Sequence, residues 1–187
     1  MTDTPISLVG IVGSLRAASV HRTLFRAATE LVPEGVTLVE APVRDVPFYD
    51  GDVEAEGDPD SVAALKAAVA AADGVVFFTP EYNRSVPAVT KNALDWASRV
   101  PGASAIGGKP IGIVAGSPGG HEVTGVRGAL AQTAAGARAR PFDESLGIPR
   151  VNDHIEDGEL TGDARDLVAG YLERFVDFVR TPPAEEA

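Results

Sequence analysis

The sequence has no cysteine among its 187 residues, which excludes a disulfide scaffold, a thiolate metal site and a cysteine nucleophile. Histidine is scarce as well: His21, His121 and His154 lie far apart and lack the spacing of metal ligands, so we expect no bound metal. No apolar run approaches the roughly 18 residues of a membrane span, and the N-terminus lacks the basic-then-apolar pattern of a signal peptide. We therefore expect a cytoplasmic protein that does not bind membranes.

Basic residues are in the minority. The 16 lysines and arginines face 27 aspartates and glutamates, which gives a net charge of −11 and a pI near 4.6. This charge disfavours non-specific binding to nucleic acid, so we expect a small or basic partner instead. Hydrophobic residues make up 44% of the chain and charged residues 23%, as in ordinary soluble proteins. The length predicts a single domain over residues 1–187, with a core from about residue 6 to residue 180.

Apolar runs alternate with amphipathic stretches along the chain. The apolar runs predict buried strands at residues 6–12, 36–40, 74–78 and 110–115, with a weak fifth candidate at 137–142. Helical spacing predicts helices at residues 20–31, 60–72, 88–99 and 163–179, and one more that ends near residue 135. We expect residues 41–59 to form an acidic loop too polar to pack, and residues 141–158 to be irregular.

This alternation, repeated about five times without linkers, predicts a doubly wound parallel sheet with helices on both faces. Five strands suit the flavodoxin-like order 2-1-3-4-5 of a three-layer sandwich, whose switch point lies between strands 1 and 3. The loops that follow strands 1, 3 and 4 would then share one rim. These are the three most distinctive loops of the sequence, so we expect a ligand site where they meet.

The first of these loops surrounds a predicted helix N-terminus with Ser14, Arg16 and Ser19. Free amides at a helix N-terminus carry partial positive charge, and a guanidinium adds a charge-assisted hydrogen bond. A phosphate monoester fits this donor set. An ordinary capped turn with a surface arginine explains the same residues equally well. The loop matches neither a G-x-G-x-x-G dinucleotide fingerprint nor a Walker loop.

The second loop is bounded by Pro80 and Pro87, which stiffen its backbone. Rigid backbone amides there can read the polar edge of a flat heterocycle, with Tyr82 and Asn83 as further contacts. The alternatives are that Tyr82 packs in the core and that Asn83 only forms a turn. Glu81, taken alone, is more typical of a solvated carboxylate than of a catalytic one.

The third loop contains glycines at 116, 119 and 120, which allow a ligand to approach the backbone closely. Ser117 can donate a hydrogen bond there. A plain strand-to-helix connection would also need these glycines. His121 and Arg127 follow, and each is as compatible with an incidental surface role as with ligand binding.

Two of these motifs together identify a family. The segment GSLRAAS at residues 13–19 resembles the phosphate loop of the NADPH-dependent FMN reductases, a flavodoxin-like group that includes quinone, chromate and azo-dye reductases. PEYN at residues 80–83, followed by Ser85, Pro87 and KNALDW at residues 91–96, resembles the family's second signature. The resemblance runs from about residue 6 to residue 135, and the two motifs occur in the family's order.

The resemblance implies FMN as cofactor and NADPH, or NADH, as co-substrate. It also implies hydride transfer through the flavin to a small acceptor such as a quinone, free flavin, chromate or an azo compound, without a catalytic side chain. The chain would form a homodimer or a dimer of dimers, with the helix at residues 88–99 near the interface. The FMN phosphate would be held by Ser14, Arg16, Ser19, Val20 and His21, although many relatives have asparagine in place of His21. The flavin ring would be lined by Pro80, Glu81, Tyr82, Asn83 and Ser117.

Other functions remain open on the sequence. A flavodoxin-type electron carrier shares the fold, but flavodoxins resemble a threonine-rich phosphate loop and sandwich the ring between aromatics, which make up only 6% of this chain. A phosphate-ester hydrolase on a related sheet is another alternative, but the best-known phosphatases of this kind need a cysteine nucleophile, which this chain lacks. A flavin-binding sensor with weak turnover is compatible with the sequence.

Overall fold

The computed structural model describes residues 4–100 and 102–182. Up to residue 141, helices separate successive strands as the hydrophobic pattern predicts. The strands are β1 (Ile6–Val12), β2 (Val36–Glu40), β3 (Gly74–Thr79), β4 (Pro110–Gly116), β5 (Arg140–Pro141), β6 (Leu146–Ile148), β7 (Ile155–Glu156) and β8 (Glu159–Leu160). The helices are α1 (Val20–Leu31), α2 (Gly51–Glu56), α3 (Asp60–Ala71), α4 (Ala88–Ala97), α5 (Thr124–Gly136) and α6 (Gly162–Arg180).

The main sheet is parallel in the order β2-β1-β3-β4-β5, so the predicted flavodoxin-like topology is confirmed. Strands β3 and β4 are buried along their whole length because helices cover both faces. Successive side chains of a strand point to opposite faces. Leu8 and Val12 of β1 accordingly join a core cluster with α1 and α6, whereas Val9 and Ile11 join a second cluster with α3, α4 and α5.

The fifth position of the sheet differs from the prediction. Instead of one strand at residues 137–142, two short strands lie beside β4: β5 pairs with its start and β6 with its end. The polar residues 143–145 separate them. The region predicted to be irregular thus contains β6, a 3-10 helix at Val151–His154 and β7, which pairs in antiparallel fashion with β8 just beyond that region. Short paired segments at a sheet edge carry too few residues to show a period of two.

The prediction that residues 41–59 are too polar to pack is wrong. Ala41 and Val43 are buried, and α2 forms within this segment. The Pro47 carbonyl accepts hydrogen bonds from the Trp96 indole N–H and the Asn92 amide of α4, each at 2.8 Å. Hydrogen bonds from side chains of α4 to the backbone of this segment hold it in place. The polarity of the segment's own side chains therefore does not reveal that it packs.

Among the described residues, no helix is long and apolar enough to cross a membrane. The same residues include no group of three or more histidine, aspartate or glutamate side chains placed to hold a metal ion.

Candidate functional site

The carboxyl ends of β1, β3 and β4 surround a cavity of about 520 Å³. Nine of the ten predicted site residues line it, and Asn83 does not. The cavity is also polar where it is buried: Ser14, Ser19, His21 and Ser117 line it, and they make up four of the seven buried polar residues found in the described chain. The predicted residues that line the cavity are Ser14, Arg16, Ser19, Val20, His21, Pro80, Glu81, Tyr82 and Ser117.

The first loop is held tightly against β3. The Gly13 amide donates to the Phe78 carbonyl at 2.8 Å. A Cβ atom at Gly13 would overlap the hydroxyls of Thr79 and Thr90, which are hydrogen-bonded to each other at 2.9 Å. Glycine is therefore required at this position by close packing. The next residue, Ser14, is buried and lines the cavity.

Ser19 begins the helix that ends this loop. Its side-chain oxygen accepts a hydrogen bond from the His21 amide at 3.2 Å, which is the N-cap interaction that its position predicts. No acidic residue lies in the first turn of α1. The first turn of α1 therefore supplies no carboxylate to offset the partial positive charge of this helix N-terminus.

Two polar groups beside that N-terminus have no partner within the described residues. The side chain of Ser14 is 5% exposed, yet its hydroxyl forms no hydrogen bond there. The exposed guanidinium of Arg16 forms neither a hydrogen bond nor an ion pair with any described residue. An unpaired hydroxyl next to an unpaired cation indicates a place built for an anion.

His21 joins the first loop to the third. Its ring is 3% exposed, and Nε2 accepts a hydrogen bond from the Gly116 amide at 3.2 Å. Burial lowers the pKa of His21 from 6.5 to about 4, and the nearby Arg16 charge acts in the same direction. The ring is therefore neutral at pH 7, and because Nε2 is an acceptor, its proton resides on Nδ1.

The second loop ends in a two-residue hairpin. Tyr82 and Ser85 exchange two backbone hydrogen bonds, at 3.2 and 3.0 Å. Asn83 and Arg84 between them have φ values of 52° and 59°, as hairpin turns with two left-handed residues require. Asn83 is thus a turn former, which explains why it lies outside the cavity lining.

The Glu81 carboxylate binds the N-terminus of another helix, α5. Its side chain is 9% exposed, and Oε2 accepts a hydrogen bond from the Val126 amide at 2.9 Å, in the first turn of α5. A carboxylate at a helix N-terminus is stabilised by the helix dipole. Gly125 leaves the space for this contact, since a Cβ there would meet both Glu81 Oε2 and the Arg84 carbonyl. The carboxylate is therefore committed to a structural role.

The third loop is held by its backbone. The Ser117 amide donates to the Ile148 carbonyl at 3.0 Å, and the Ser117 carbonyl accepts from the Val151 amide at 2.9 Å. The Ser117 hydroxyl accepts from the Gly119 amide at 3.0 Å and lies 3.3 Å from the ring nitrogens of His121. His121 lines the cavity, so this histidine belongs to the site region.

Four lining residues are not singled out by sequence reasoning: Ala18, Pro118, Val123 and Asn152. Asn152 belongs to the 3-10 helix after β6, which only the tertiary structure brings beside the third loop. No local motif marks it. Arg127, in contrast, is drawn away from the cavity, because its guanidinium donates to the Ser145 carbonyl at 2.6 Å and ties α5 to the segment before β6.

Comparison with known proteins agrees with this geometry. A quinone reductase of Pseudomonas putida is 34% identical to this chain over 188 residues, which covers 93% of this chain and 95% of the relative. An NAD(P)H-dependent FMN reductase of Pseudomonas aeruginosa is 35% identical over 178 residues, with coverages of 94% and 96%. The flavoenzyme NAD(P)H:(acceptor) oxidoreductase FerB of Paracoccus denitrificans has a similar solved structure, with a TM-score of 0.84, 29% identity and coverages of 94% and 97%.

The family described as NADPH-dependent FMN reductase matches residues 6–153, a span that includes all three loops of the cavity. The chain belongs to the NADPH-dependent FMN reductase family.

Proposed function

We propose that this protein is an NAD(P)H-dependent oxidoreductase that binds FMN in the carboxyl-end cavity and reduces a small acceptor, with quinones as the first choice. The observation that carries the proposal is the unpaired Ser14 hydroxyl and Arg16 guanidinium at the open N-terminus of α1. The names of its relatives favour this enzyme over a flavodoxin-type electron carrier. Free flavin, chromate and azo compounds are further candidate acceptors.

The first loop suits the phosphate of FMN. Arg16 supplies a charge-assisted hydrogen bond, and Ser14 supplies a hydroxyl that has no partner among the described residues. The Ser19 oxygen already accepts from the His21 amide, so its own hydrogen is free to donate. Val20 begins α1 and would present the helix N-terminus to the phosphate. In this proposal His21 contributes through its position rather than through a charge.

The second and third loops suit the flavin ring. Residues 80–82 and Ser117 line the cavity, and the ring edge of a flavin presents both donors and acceptors to their backbone groups. Tyr82 is 52% exposed and offers an aromatic surface at the rim. The cavity volume lies within the roughly 300–1,000 Å³ typical of cofactor sites.

When bound, FMN would accept a hydride from NAD(P)H and pass two electrons to the acceptor, so the redox chemistry belongs to the cofactor. The residues of the chain bind and orient it. The rigid backbone of the second loop, held by Pro80, Pro87 and the hairpin at residues 82–85, keeps its polar groups in place without reorganisation. We propose no catalytic side chain.

Three further expectations complete the proposal. The chain acts as one FMN-binding domain, works in the cytoplasm and forms a homodimer or dimer of dimers. An exposed aromatic supports the assembly: Phe48 is 75% exposed, and its neighbour Pro47 is hydrogen-bonded to α4, the helix expected near the interface. Sedimentation of the wild type and of Phe48→Glu tests this expectation, and a monomeric wild type would contradict it.

The first experiment is an absorbance spectrum of the purified, FMN-supplied protein before and after anaerobic NADPH. Flavin bands that bleach on NADPH support the proposal. Bound flavin that bleaches only with a protein donor would make the chain an electron carrier. Absence of flavin uptake would refute the three-loop site. In the active enzyme, donor and acceptor would use one site in turn, so initial-rate lines should be parallel.

A further inference from the structure

The arginines of this chain divide sharply by their partners. Nine of the thirteen side chains form a hydrogen bond or an ion pair, for example Arg22 with Glu40 at 2.8 Å and Arg174 with Glu144 at 2.8 Å. All thirteen lie in the described part of the chain. Within it, four guanidiniums have no partner: those of Arg16, Arg84, Arg138 and Arg150.

Three of these four arginines lie around the carboxyl-end cavity. Arg16 lines it, Arg84 occupies the hairpin of the second loop, and Arg150 adjoins the third loop. Arg138 is at the opposite end of the sheet. In a chain with a net charge of −11, carboxylates are plentiful. Unpaired cations concentrated at one rim therefore indicate that the charge is kept free for a ligand.

Arg150 is the best placed of them for a second anion. Its backbone amide donates to the Gly119 carbonyl at 2.7 Å, so it is fixed to a residue that lines the cavity. Its guanidinium lies alongside Gly120: a Cβ there would be 3.8 Å from Nε. The next residue is anchored too, because the Val151 amide donates to the Ser117 carbonyl. Arg150 is thus an exposed charge on a backbone held at both sides.

Binding of the electron donor requires an exposed positive charge near the cavity. The electron donor of this family is a polyanionic nucleotide, and it must approach an acidic protein. At physiological ionic strength, charges separated by more than about 8 Å are largely screened, so local cations decide whether phosphates are accepted. Arg16, on the first loop, binds the FMN phosphate in the proposed function. Arg150, on the third loop, is therefore available to bind a different phosphate.

We propose that Arg150 binds a phosphate group of the nicotinamide dinucleotide and so sets the affinity of the enzyme for its hydride donor. This inference rests on the proposed function. Arg150 acts by charge and by hydrogen bonds from its fork of N–H donors to phosphate oxygens. It takes no part in holding FMN.

The test compares Arg150→Gln with Arg138→Gln. Both residues are exposed, unpaired arginines in the left-handed conformation, with φ values of 48° and 60°, and they differ in the end of the sheet that they occupy. Calorimetry on the FMN-loaded proteins measures the dissociation constants of NADP⁺ and NAD⁺. We expect Arg150→Gln to weaken NADP⁺ binding roughly tenfold or more, the scale of one lost charged hydrogen bond, with Arg138→Gln unchanged.

The pattern of loss identifies the phosphate. Weakening confined to NADP⁺ assigns Arg150 to the 2′-phosphate, and equal weakening of NAD⁺ assigns it to the pyrophosphate. Arg150→Lys should restore part of the affinity, because it keeps the charge. Unchanged binding of both nucleotides to Arg150→Gln would overturn the inference while leaving the proposed function intact. Failure of the wild type to bind FMN would instead refute the proposed function.

Discussion

The two ends of the sheet carry cavities of almost equal volume, about 520 Å³ at the carboxyl end and about 500 Å³ at the amino end. Their linings differ. The carboxyl-end cavity includes four buried polar residues, whereas none of the described residues that line the other cavity is a buried polar residue. Cavity volume therefore does not mark the site. Buried polar side chains do, because burying a polar group costs free energy unless the chain or a ligand forms a hydrogen bond with it.

The helix ends explain the difference. In a βα unit, each helix begins at the carboxyl end of the sheet, where its free N–H groups favour anions. Two such N-termini meet at the cavity, and the chain treats them differently. The N-terminus of α5 is filled by the Glu81 carboxylate, whereas that of α1 has no acidic residue in its first turn. Only α1 is left free to bind a phosphate.

The largest expected effect is the difference in stability between two glycine-to-alanine substitutions, one at each end of the sheet. Gly13→Ala would push a Cβ into the Thr79–Thr90 hydroxyl pair, so we expect the free energy of unfolding to fall by about 3 kcal/mol, the upper part of the range for overpacking. Gly136→Ala meets nothing within 4 Å and should be neutral or stabilising by up to about 1 kcal/mol. Urea unfolding measures the free energy of unfolding of both variants. Equal values would contradict the difference in packing between the two ends of the sheet.

The next effect concerns the phosphate subsite. Arg16→Ala should weaken FMN binding by roughly 1.5–3 kcal/mol, because one charged hydrogen bond is lost. The matched control is Arg138→Ala, an unpaired arginine at the amino-end cavity, which should leave FMN binding unchanged. Fluorescence titration of flavin-free protein gives both dissociation constants. An unchanged constant for Arg16→Ala would remove Arg16 from the site.

The bond between the first and third loops gives a third prediction. His21→Leu would leave the buried Gly116 amide without an acceptor, at a cost of about 1–3 kcal/mol. His21→Gln can place its amide oxygen, an ε atom, near the position of Nε2 and should recover part of this loss. Chemical denaturation of the two variants at pH 7 measures the difference. Equal losses in both would show that the hydrogen bond itself is unimportant.

The lowered pKa of His21 predicts that the stability of the protein depends on pH. The pKa of His21 is about 4 in the folded protein and 6.5 when unperturbed, so between these values the unfolded state binds more protons. The stabilisation from neutral His21 is therefore complete above pH 6.5 and is lost as the pH falls towards 4. The wild type should lose stability faster than His21→Gln in this window, by up to about 1.4 kcal/mol per pH unit. Parallel pH profiles would contradict the assignment.

The smallest effect is expected at the α5 N-terminus. Glu81→Gln keeps an oxygen acceptor for the Val126 amide but removes the charge. We expect a loss of stability of about 0.3–1 kcal/mol, reduced by salt, from the weaker interaction with the helix dipole. Thermal unfolding at low and high ionic strength tests this. A loss that is independent of salt would show that the charge is not responsible.

The three loops illustrate how far sequence reasoning reaches. Motif residues and strand order together predict a common rim, and nine of the ten predicted residues line one cavity. Asn83 differs because a two-residue hairpin needs a left-handed residue there, and its side chain type alone does not distinguish a turn former from a ligand contact. Asn152 lies outside every motif, because it reaches the cavity only through the pairing of β6 with β4.

The alternation of strands and helices, the topology of the main sheet and the two motifs of the family can be predicted from the amino-acid sequence. Hydrophobic periodicity and glycine and proline placement are local properties, and they can be read along the chain. Which polar groups find partners depends on the tertiary structure. It pairs His21 with Gly116 across 95 residues and Glu81 with Val126 across 45, while the side chains of Arg16 and Arg150 have no partner among residues 4–100 and 102–182. Hydrogen bonds and charges act over distances in space, and residues far apart in sequence meet only when the sheet forms.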